Sequence, residues 1–156
     1  MLHSIAITAL LCINPLSGDR EAQVRISLFS LFKPKVVNAR IASGEGARID
    51  VDGSLGSRLL PGETLRMRLM EGVLSGAIVD VSGSTSHPLT GRVARIVPVG
   101  STTLELFLPG KIKRVVRGGV VFSPGERGSR GELQVVLETD RETAVASIVA
   151  AEMRGE

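Results

Sequence analysis

Glu152 is the residue whose type and position are best suited to chemistry. The apolar residues before it recur at helical spacing, at Val145, Ile148 and Val149. Position 152 continues that stripe, so a helix that runs through it places a carboxylate on an apolar face. Partial desolvation raises the pKa of a carboxyl group, and a glutamate that titrates near neutral pH can both donate and accept a proton. If the helix ends at Ala151 instead, Glu152 reaches solvent beside Arg154.

Other catalytic and ligand-binding patterns are largely absent from the sequence. It contains no nucleophile elbow, no glycine-rich phosphate loop and no metal-ligand spacing of His or Cys. His87 stands alone in a serine-rich stretch, which favours a surface residue because a catalytic triad also needs a nucleophile and an acid. Asp50 and Asp52 suggest calcium, but their loop lacks the remaining ligands. We therefore expect no cofactor and no metal.

Composition narrows the class of partner. The chain has no Trp and no Tyr, and its four phenylalanines are Phe29, Phe32, Phe107 and Phe122. Because single-stranded nucleic acids are held by stacking on aromatic faces, we expect no nucleic-acid partner, and we expect the phenylalanines to lie in the core. The net charge of +3 comes from 19 basic and 16 acidic residues scattered along the chain, which favours a solvated surface.

Hydrophobic periodicity predicts a mainly β fold. Short apolar alternations predict strands at 24–28, 36–41, 47–51, 64–69, 76–81, 92–96, 103–107, 114–117 and 133–137. Turn signals separate them, including Asp52-Gly53, and residues 82–91 are predicted to be a polar loop. Many short antiparallel strands favour a sandwich or barrel-like domain. The period then changes, and Thr139 or Asp140 is predicted to cap a C-terminal helix with Glu142 in its first turn, which makes the class α+β.

The first residues are typical of an export signal. Residues 5–13 form an apolar run that is too short to span a bilayer comfortably, and a helix-breaking stretch follows at 14–18. We predict a signal peptide over 1–20, an extracytoplasmic location and a β-rich domain over 21–156; the alternative is that the run forms a first buried strand. Leu11 before the single cysteine, Cys12, argues against lipidation. We expect no stable membrane span.

The C-terminal motifs resemble the stage II sporulation protein D family, also called the amidase enhancer family. The likeness rests on Arg117-Gly118, residues 133–137 and residues 142–153, and residues 24–29 look like the family's opening strand. Members typically show a tyrosine-arginine-glycine strand and then a leucine-glutamate-aspartate-tyrosine-leucine segment that leads to a glutamate-methionine pair. Glu142 and Val145 fall on that pattern, and Glu152-Met153 matches the pair.

The resemblance implies a peptidoglycan lytic transglycosylase that cleaves bare glycan strands in the cell envelope. The family's glutamate before methionine is held to act as general acid and base, which makes Glu152 the catalytic residue here. Arg117 and Glu142 are the matching substrate-binding candidates. One acid suffices because the sugar's own 6-hydroxyl closes an anhydro ring, whereas ordinary glycosidases use two carboxylates. The implied partners are glycan strands, with a cell-wall amidase or another envelope protein as a further partner.

The sequence departs from the family pattern in several places. Val116 replaces the tyrosine before arginine-glycine, Ala144 replaces a tyrosine and Ser147 replaces a frequent glycine. The family's later substrate and metal residues have no counterpart before Glu156. Because a cleft needs groups from more than one element, we expect weak or no activity from this chain alone. The alternatives are a non-catalytic cell-wall-binding or amidase-stimulating module, and a structural β domain whose last helix matches by accident.

Overall fold

Alternating apolar and polar residues build a twelve-stranded β structure in the part of the chain that is described. The computed structural model describes residues 23–110, 112–125 and 132–143. Their strands are β1 (Gln23–Leu28), β2 (Val36–Ser43), β3 (Ala47–Val51), β4 (Ser54–Leu59), β5 (Thr64–Met70), β6 (Val73–Val79), β7 (Thr85–Gly91), β8 (Ala94–Pro98), β9 (Thr103–Phe107), β10 (Lys113–Val116), β11 (Gly119–Pro124) and β12 (Leu133–Asp140). A 3₁₀ turn, Ser30–Phe32, connects β1 to β2.

The strands form two six-stranded sheets. The first sheet has the order β1-β12-β11-β8-β3-β4, and the second has the order β10-β9-β2-β5-β6-β7. Every strand pairing for which the register is defined is antiparallel. Because side chains alternate between the two faces of a strand, each sheet has one apolar face and one polar face. The predicted mainly β fold is confirmed.

The apolar faces of both sheets share one hydrophobic core. Its largest fully buried side chains are Phe122, Ile49, Leu59, Leu65, Met67, Leu74, Ile78, Ile96, Leu104 and Leu106. They come from strands of both sheets, so the sheets pack face to face as a sandwich. This arrangement leaves the outer face of each sheet free to carry polar and charged side chains.

Thr102 connects the turns at one end of the sandwich. Its hydroxyl accepts hydrogen bonds from the backbone N–H groups of Glu45 (3.1 Å) and Gly46 (3.3 Å), and it donates one to the carbonyl oxygen of Val99 (2.6 Å). Gly44 lies against it with a φ of 109°, and a Cβ there would be 2.4 Å from the Thr102 hydroxyl. The buried hydroxyl of Thr102 thus satisfies backbone groups of the turn between β2 and β3.

The β3–β4 hairpin turns at Asp52-Gly53, as predicted. Both residues have positive φ, 51° and 81°, which is the backbone of a tight type I′ turn. The Asp52 carboxylate accepts hydrogen bonds from the backbone N–H groups of Val93 and Arg92, each at 2.9 Å. These bonds, with Val93 contributing most, hold the pKa of Asp52 below its ordinary value.

Several sequence predictions are wrong in detail. The predicted polar loop at 82–91 contains β7, which pairs with β6 through an irregular register. β7 was missed because its outward residues are Ser, Thr and His, so it lacks an apolar alternation; β4 was also missed. His87 is exposed, as predicted, but it lies within β7 with a φ of 49°. Predicted strands 76–81 and 92–96 are shifted to Val73–Val79 and Ala94–Pro98.

The prediction for the phenylalanines is half right. Phe29 and Phe122 are buried in the core, with 7% and 0% of their surface exposed. Phe32 is 50% exposed. Phe107 lies on the outer face of the second sheet, where the guanidinium of Arg40 lies 4.9 Å from the centre of its ring. An apolar residue in a loop or on an outer face carries no periodic signal that separates it from a core residue.

The chain divides into two compact units. The larger is Arg25–Thr139, and the described residues Gln23, Val24 and Asp140–Thr143 belong to the other. The signal peptide predicted over 1–20 lies outside the described residues. Among those residues, no helix is long and apolar enough to cross a membrane.

Candidate functional site

Asp140 begins the C-terminal helix. Its Oδ1 accepts a hydrogen bond from the backbone N–H of Thr143 at 2.7 Å, and its Oδ2 accepts one from the Thr143 hydroxyl at 2.8 Å. This is an N-cap, and Arg141 to Thr143 are helical. The backbone N–H of Thr143, followed by its hydroxyl, holds the pKa of Asp140 below its ordinary value. Of the two predicted caps, Asp140 is therefore the one that is used.

Glu142 lies in the first turn of that helix, and its side chain is exposed. A negative charge in the first turn interacts favourably with the unpaired N–H groups of the helix. The position predicted for Glu142 is confirmed. Its proposed role in substrate binding stays a prediction.

Arg117-Gly118 lies between β10 and β11. Arg117 is exposed, and Gly118 has a φ of 134°. A Cβ on Gly118 would lie 2.5 Å from the carbonyl oxygen of Glu138 in β12, closer than atoms pack. The glycine is therefore required by the close approach of β12, and it fixes the direction in which the chain leaves Arg117.

The predicted catalytic acid, Glu152, lies outside the described residues. Arg117 belongs to the larger unit, Arg25–Thr139, whereas Glu142 belongs to the other unit. The two substrate-binding candidates are therefore described separately. Within residues 23–110, 112–125 and 132–143, no group of three His, Cys, Asp or Glu side chains could hold a metal ion.

No family model, no curated protein and no solved structure matches the chain.

A second candidate site, which the sequence reasoning missed, lies on the outer face of the second sheet. A shallow cleft of about 250 Å³ runs across β5 and β6 there. It is lined by Arg66, Arg68, Ser75, Ala77 and Thr85, among others. The register of β5 against β6 places Arg66 opposite Ala77 and Arg68 opposite Ser75, so small side chains leave the cations room to point outward.

Neither Arg66 nor Arg68 forms an ion pair with any acid in the described part of the chain. Arg66 donates one long hydrogen bond, from Nε to Oδ1 of Asn38, at 3.4 Å. The strands of this sheet carry a single acid, Glu105, and its carboxylate is already paired with Arg40. The cleft is therefore a positively charged surface with two guanidinium groups available to a ligand.

The outer face of the first sheet is arranged differently. The Glu138 carboxylate lies between Arg25 (3.6 Å) and Arg95 (3.4 Å), and Asp50 pairs with Arg48 (3.0 Å). Only 17% of the Glu138 side chain is exposed. Three of the four arginines on the strands of this sheet thus lie beside a carboxylate, although Arg25 and Arg95 share one, and Arg58 is the fourth.

Two exposed arginines on one face are suited to binding anions. A guanidinium group donates several hydrogen bonds in a fixed planar fork, which matches carboxylates and phosphates. The alternation Arg66-Met67-Arg68 in the sequence already places both cations on one side of a strand. The sequence did not reveal which acids face them, because that depends on how the strands pair.

Proposed function

We propose that this chain is an envelope domain that binds bare peptidoglycan glycan strands and carries the catalytic acid of a lytic transglycosylase, Glu152. The observation that carries the proposal is the order of the C-terminal elements. Arg117-Gly118 follows β10, the β11–β12 hairpin comes next, and a capped helix starts with Glu142 in its first turn. These elements carry the residues of the described part of the chain whose motifs resemble those of the stage II sporulation protein D family.

The proposed chemistry needs one proton carrier. Glu152 donates its proton to the glycosidic oxygen while the bond from that oxygen to the anomeric carbon breaks. The resulting carboxylate then takes the proton from the 6-hydroxyl of the same sugar as its oxygen bonds to the anomeric carbon. The products are a shortened strand and a 1,6-anhydro sugar end, and Glu152 regains its proton. In this scheme Arg117 and Glu142 help to hold the strand.

The enzymatic proposal is tested by Glu152→Gln in the full product of the gene. Bare glycan strands, freed of their peptides, are incubated with the protein, and anhydro-muramyl ends are measured by mass spectrometry. We expect release by the parent and at least a hundredfold less by Glu152→Gln, since general acid–base catalysis contributes about 10²–10⁴-fold.

Glu45→Gln serves as the matched control because Glu45 is an exposed acid on a turn of the sandwich. It should leave the rate unchanged. Absence of anhydro ends from the parent, or equal release by Glu152→Gln, contradicts the catalytic role.

The second candidate function is a non-catalytic module that binds cell-wall glycan or stimulates an amidase. The cleft at Arg66 and Arg68 favours it, because a bare strand exposes one lactyl carboxylate on every muramic acid. Binding of this kind uses the β sandwich and does not use Glu152. Co-sedimentation with bare glycan that persists in Glu152→Gln, without any anhydro product from the parent, supports this module over the enzyme.

A further inference from the structure

The segment between β1 and β2 presents two apolar side chains to solvent. Leu31 is 91% exposed, the highest value among the large apolar residues of the described part of the chain, and Phe32 is 50% exposed. Both belong to the 3₁₀ turn Ser30–Phe32. Exposed apolar residues that adjoin one another, unlike single scattered ones, mark surfaces that contact a protein, a ligand or a membrane.

The backbone holds this tip in a defined shape. The residues on either side, Phe29 and Lys33, both have left-handed φ values, 59° and 46°, without being glycine. Such conformations cost energy and persist where surrounding structure imposes them. Here Phe29 is buried in the core, and the carbonyl oxygens of Pro34 and Lys35 accept hydrogen bonds from Leu133 (2.8 Å) and Leu69 (3.1 Å). The tip is therefore displayed by a well-anchored frame.

Two cations follow the apolar tip in the sequence. Lys33 and Lys35 are exposed, and neither pairs with an acid of the described residues within 4 Å. Glu132 lines the same shallow pocket as Lys33. The hydrogen bond from Leu69 to Lys35 also brings the β5–β6 turn to this end, where Met70 and Val73 are 54% and 40% exposed.

We propose that this end of the sandwich docks on an anionic lipid bilayer, with Leu31 and Phe32 inserted at the level of the headgroups and Lys33 and Lys35 against the lipid phosphates. Apolar insertion and attraction between cations and anionic headgroups are the two forces that hold peripheral proteins on membranes, and both groups lie here within five residues. The contact is peripheral and does not depend on the proposed glycan chemistry.

The chain offers a clean optical test because it contains no Trp and no Tyr. Leu31→Trp places the single indole at the tip, where an exposed position tolerates it. Vesicles contain either phosphatidylcholine alone or phosphatidylcholine mixed with phosphatidylglycerol, each with and without brominated acyl chains. We expect the emission of Leu31→Trp to shift to shorter wavelength and to be quenched by brominated lipid in the anionic vesicles.

The matched control is Val81→Trp. Val81 is 86% exposed and lies two residues after the end of β6. That end of β6 is about 20 Å along the strand from Val73, where β6 begins. Its emission should not change. Adding Phe32→Ser to Leu31→Trp should weaken anionic vesicle binding about tenfold, and Lys33→Gln with Lys35→Gln should do the same at low salt.

Four outcomes overturn the proposal. These are no shift of Leu31→Trp with any vesicle, equal shifts with neutral and anionic vesicles, equal shifts of both single-Trp variants, and a shift that depends on protein concentration without lipid. The last outcome means that a second copy of the chain covers the tip. Because the reporter sits at position 31, contact of the apolar run at 5–13 with lipid does not mimic the expected result.

Discussion

The two outer faces of the sandwich use the same residue types in opposite ways. On the first sheet, carboxylates lie beside the arginines, and the single carboxylate of Glu138 pairs with both Arg25 and Arg95. On the second sheet, Arg66 and Arg68 lie beside Ser75 and Ala77, and no strand acid faces them in the described residues. The first arrangement offsets part of the protein's own charge, whereas the second leaves Arg66 and Arg68 without an acidic partner. The net charge of +3 hides this difference.

Among the changes that test this comparison of the two faces, removing the unpaired cations of the second face is expected to have the largest effect. Arg66→Gln with Arg68→Gln should weaken binding to bare glycan strands about tenfold at low salt, because each lost charge-assisted contact contributes on the order of 0.5–1 kcal/mol at an exposed site. Sedimentation binding curves measure the change.

Arg58→Gln with Arg92→Gln is the matched control for that experiment. It removes the same charge from two exposed arginines that lie outside the cleft. Binding should fall less than twofold. If both double variants weaken binding equally, net charge and not the cleft decides the interaction.

A smaller effect is expected from removing the shared carboxylate of the first face, which leaves its arginines unpaired like those of the second face. Glu138→Gln frees Arg25 and Arg95 from their shared carboxylate and should raise binding to bare glycan by about threefold, since weakly screened cations on an exposed face contribute roughly 0.5 kcal/mol or more. Thermal unfolding of the variant shows whether the fold is kept. Unchanged binding in a folded variant would show that charge pairing does not distinguish the faces.

The smallest effect concerns a turn carboxylate that belongs to neither face. The folded-state pKa of Asp52 lies below its ordinary value of 3.8, so its contribution to stability is complete above that value. The contribution is lost as the pH falls through the folded-state pKa. Asp52→Asn keeps an acceptor and tolerates the left-handed backbone, and it removes the charge.

Chemical denaturation at several pH values checks this prediction. The parent should be more stable than Asp52→Asn at pH 6, and the difference should shrink at pH values below 3.8. Because Asp52 lies outside both charged faces, glycan binding by the folded variant should be unchanged at pH 6. A constant difference in stability across pH would show that the two backbone N–H groups do not favour the ionised carboxylate.

The sequence predicted much of the fold because most strands alternate strictly. Residues 103–107 were predicted with the bounds that β9 has, and Asp52-Gly53 was predicted as a turn. β7 was missed because its segment, TSHPLTG, contains one apolar residue that is buried, Leu89. Strand propensity depends on the partner strand, and the sequence alone does not give the partner.

The candidate sites were less predictable than the fold. Asp140 and Glu142 were placed correctly because capping is a local interaction between residues three positions apart. The cleft at Arg66 and Arg68 was not found from the sequence, because it depends on strand pairing. In the sheet, Ala77 and Ser75 of β6 lie opposite the two arginines, and the strands of this sheet carry no acid other than Glu105. Such a property belongs to the sheet and not to any segment of the sequence.

The most direct test of this account compares one ligand in two chemical forms. Bare glycan strands are prepared with their lactyl carboxylates intact and with the same groups reduced to alcohols, and binding of the parent protein to each is measured at low salt. The account predicts at least tenfold weaker binding to the reduced strands, and it predicts that Arg66→Gln with Arg68→Gln binds both forms equally. Equal binding of the parent to both forms would contradict it.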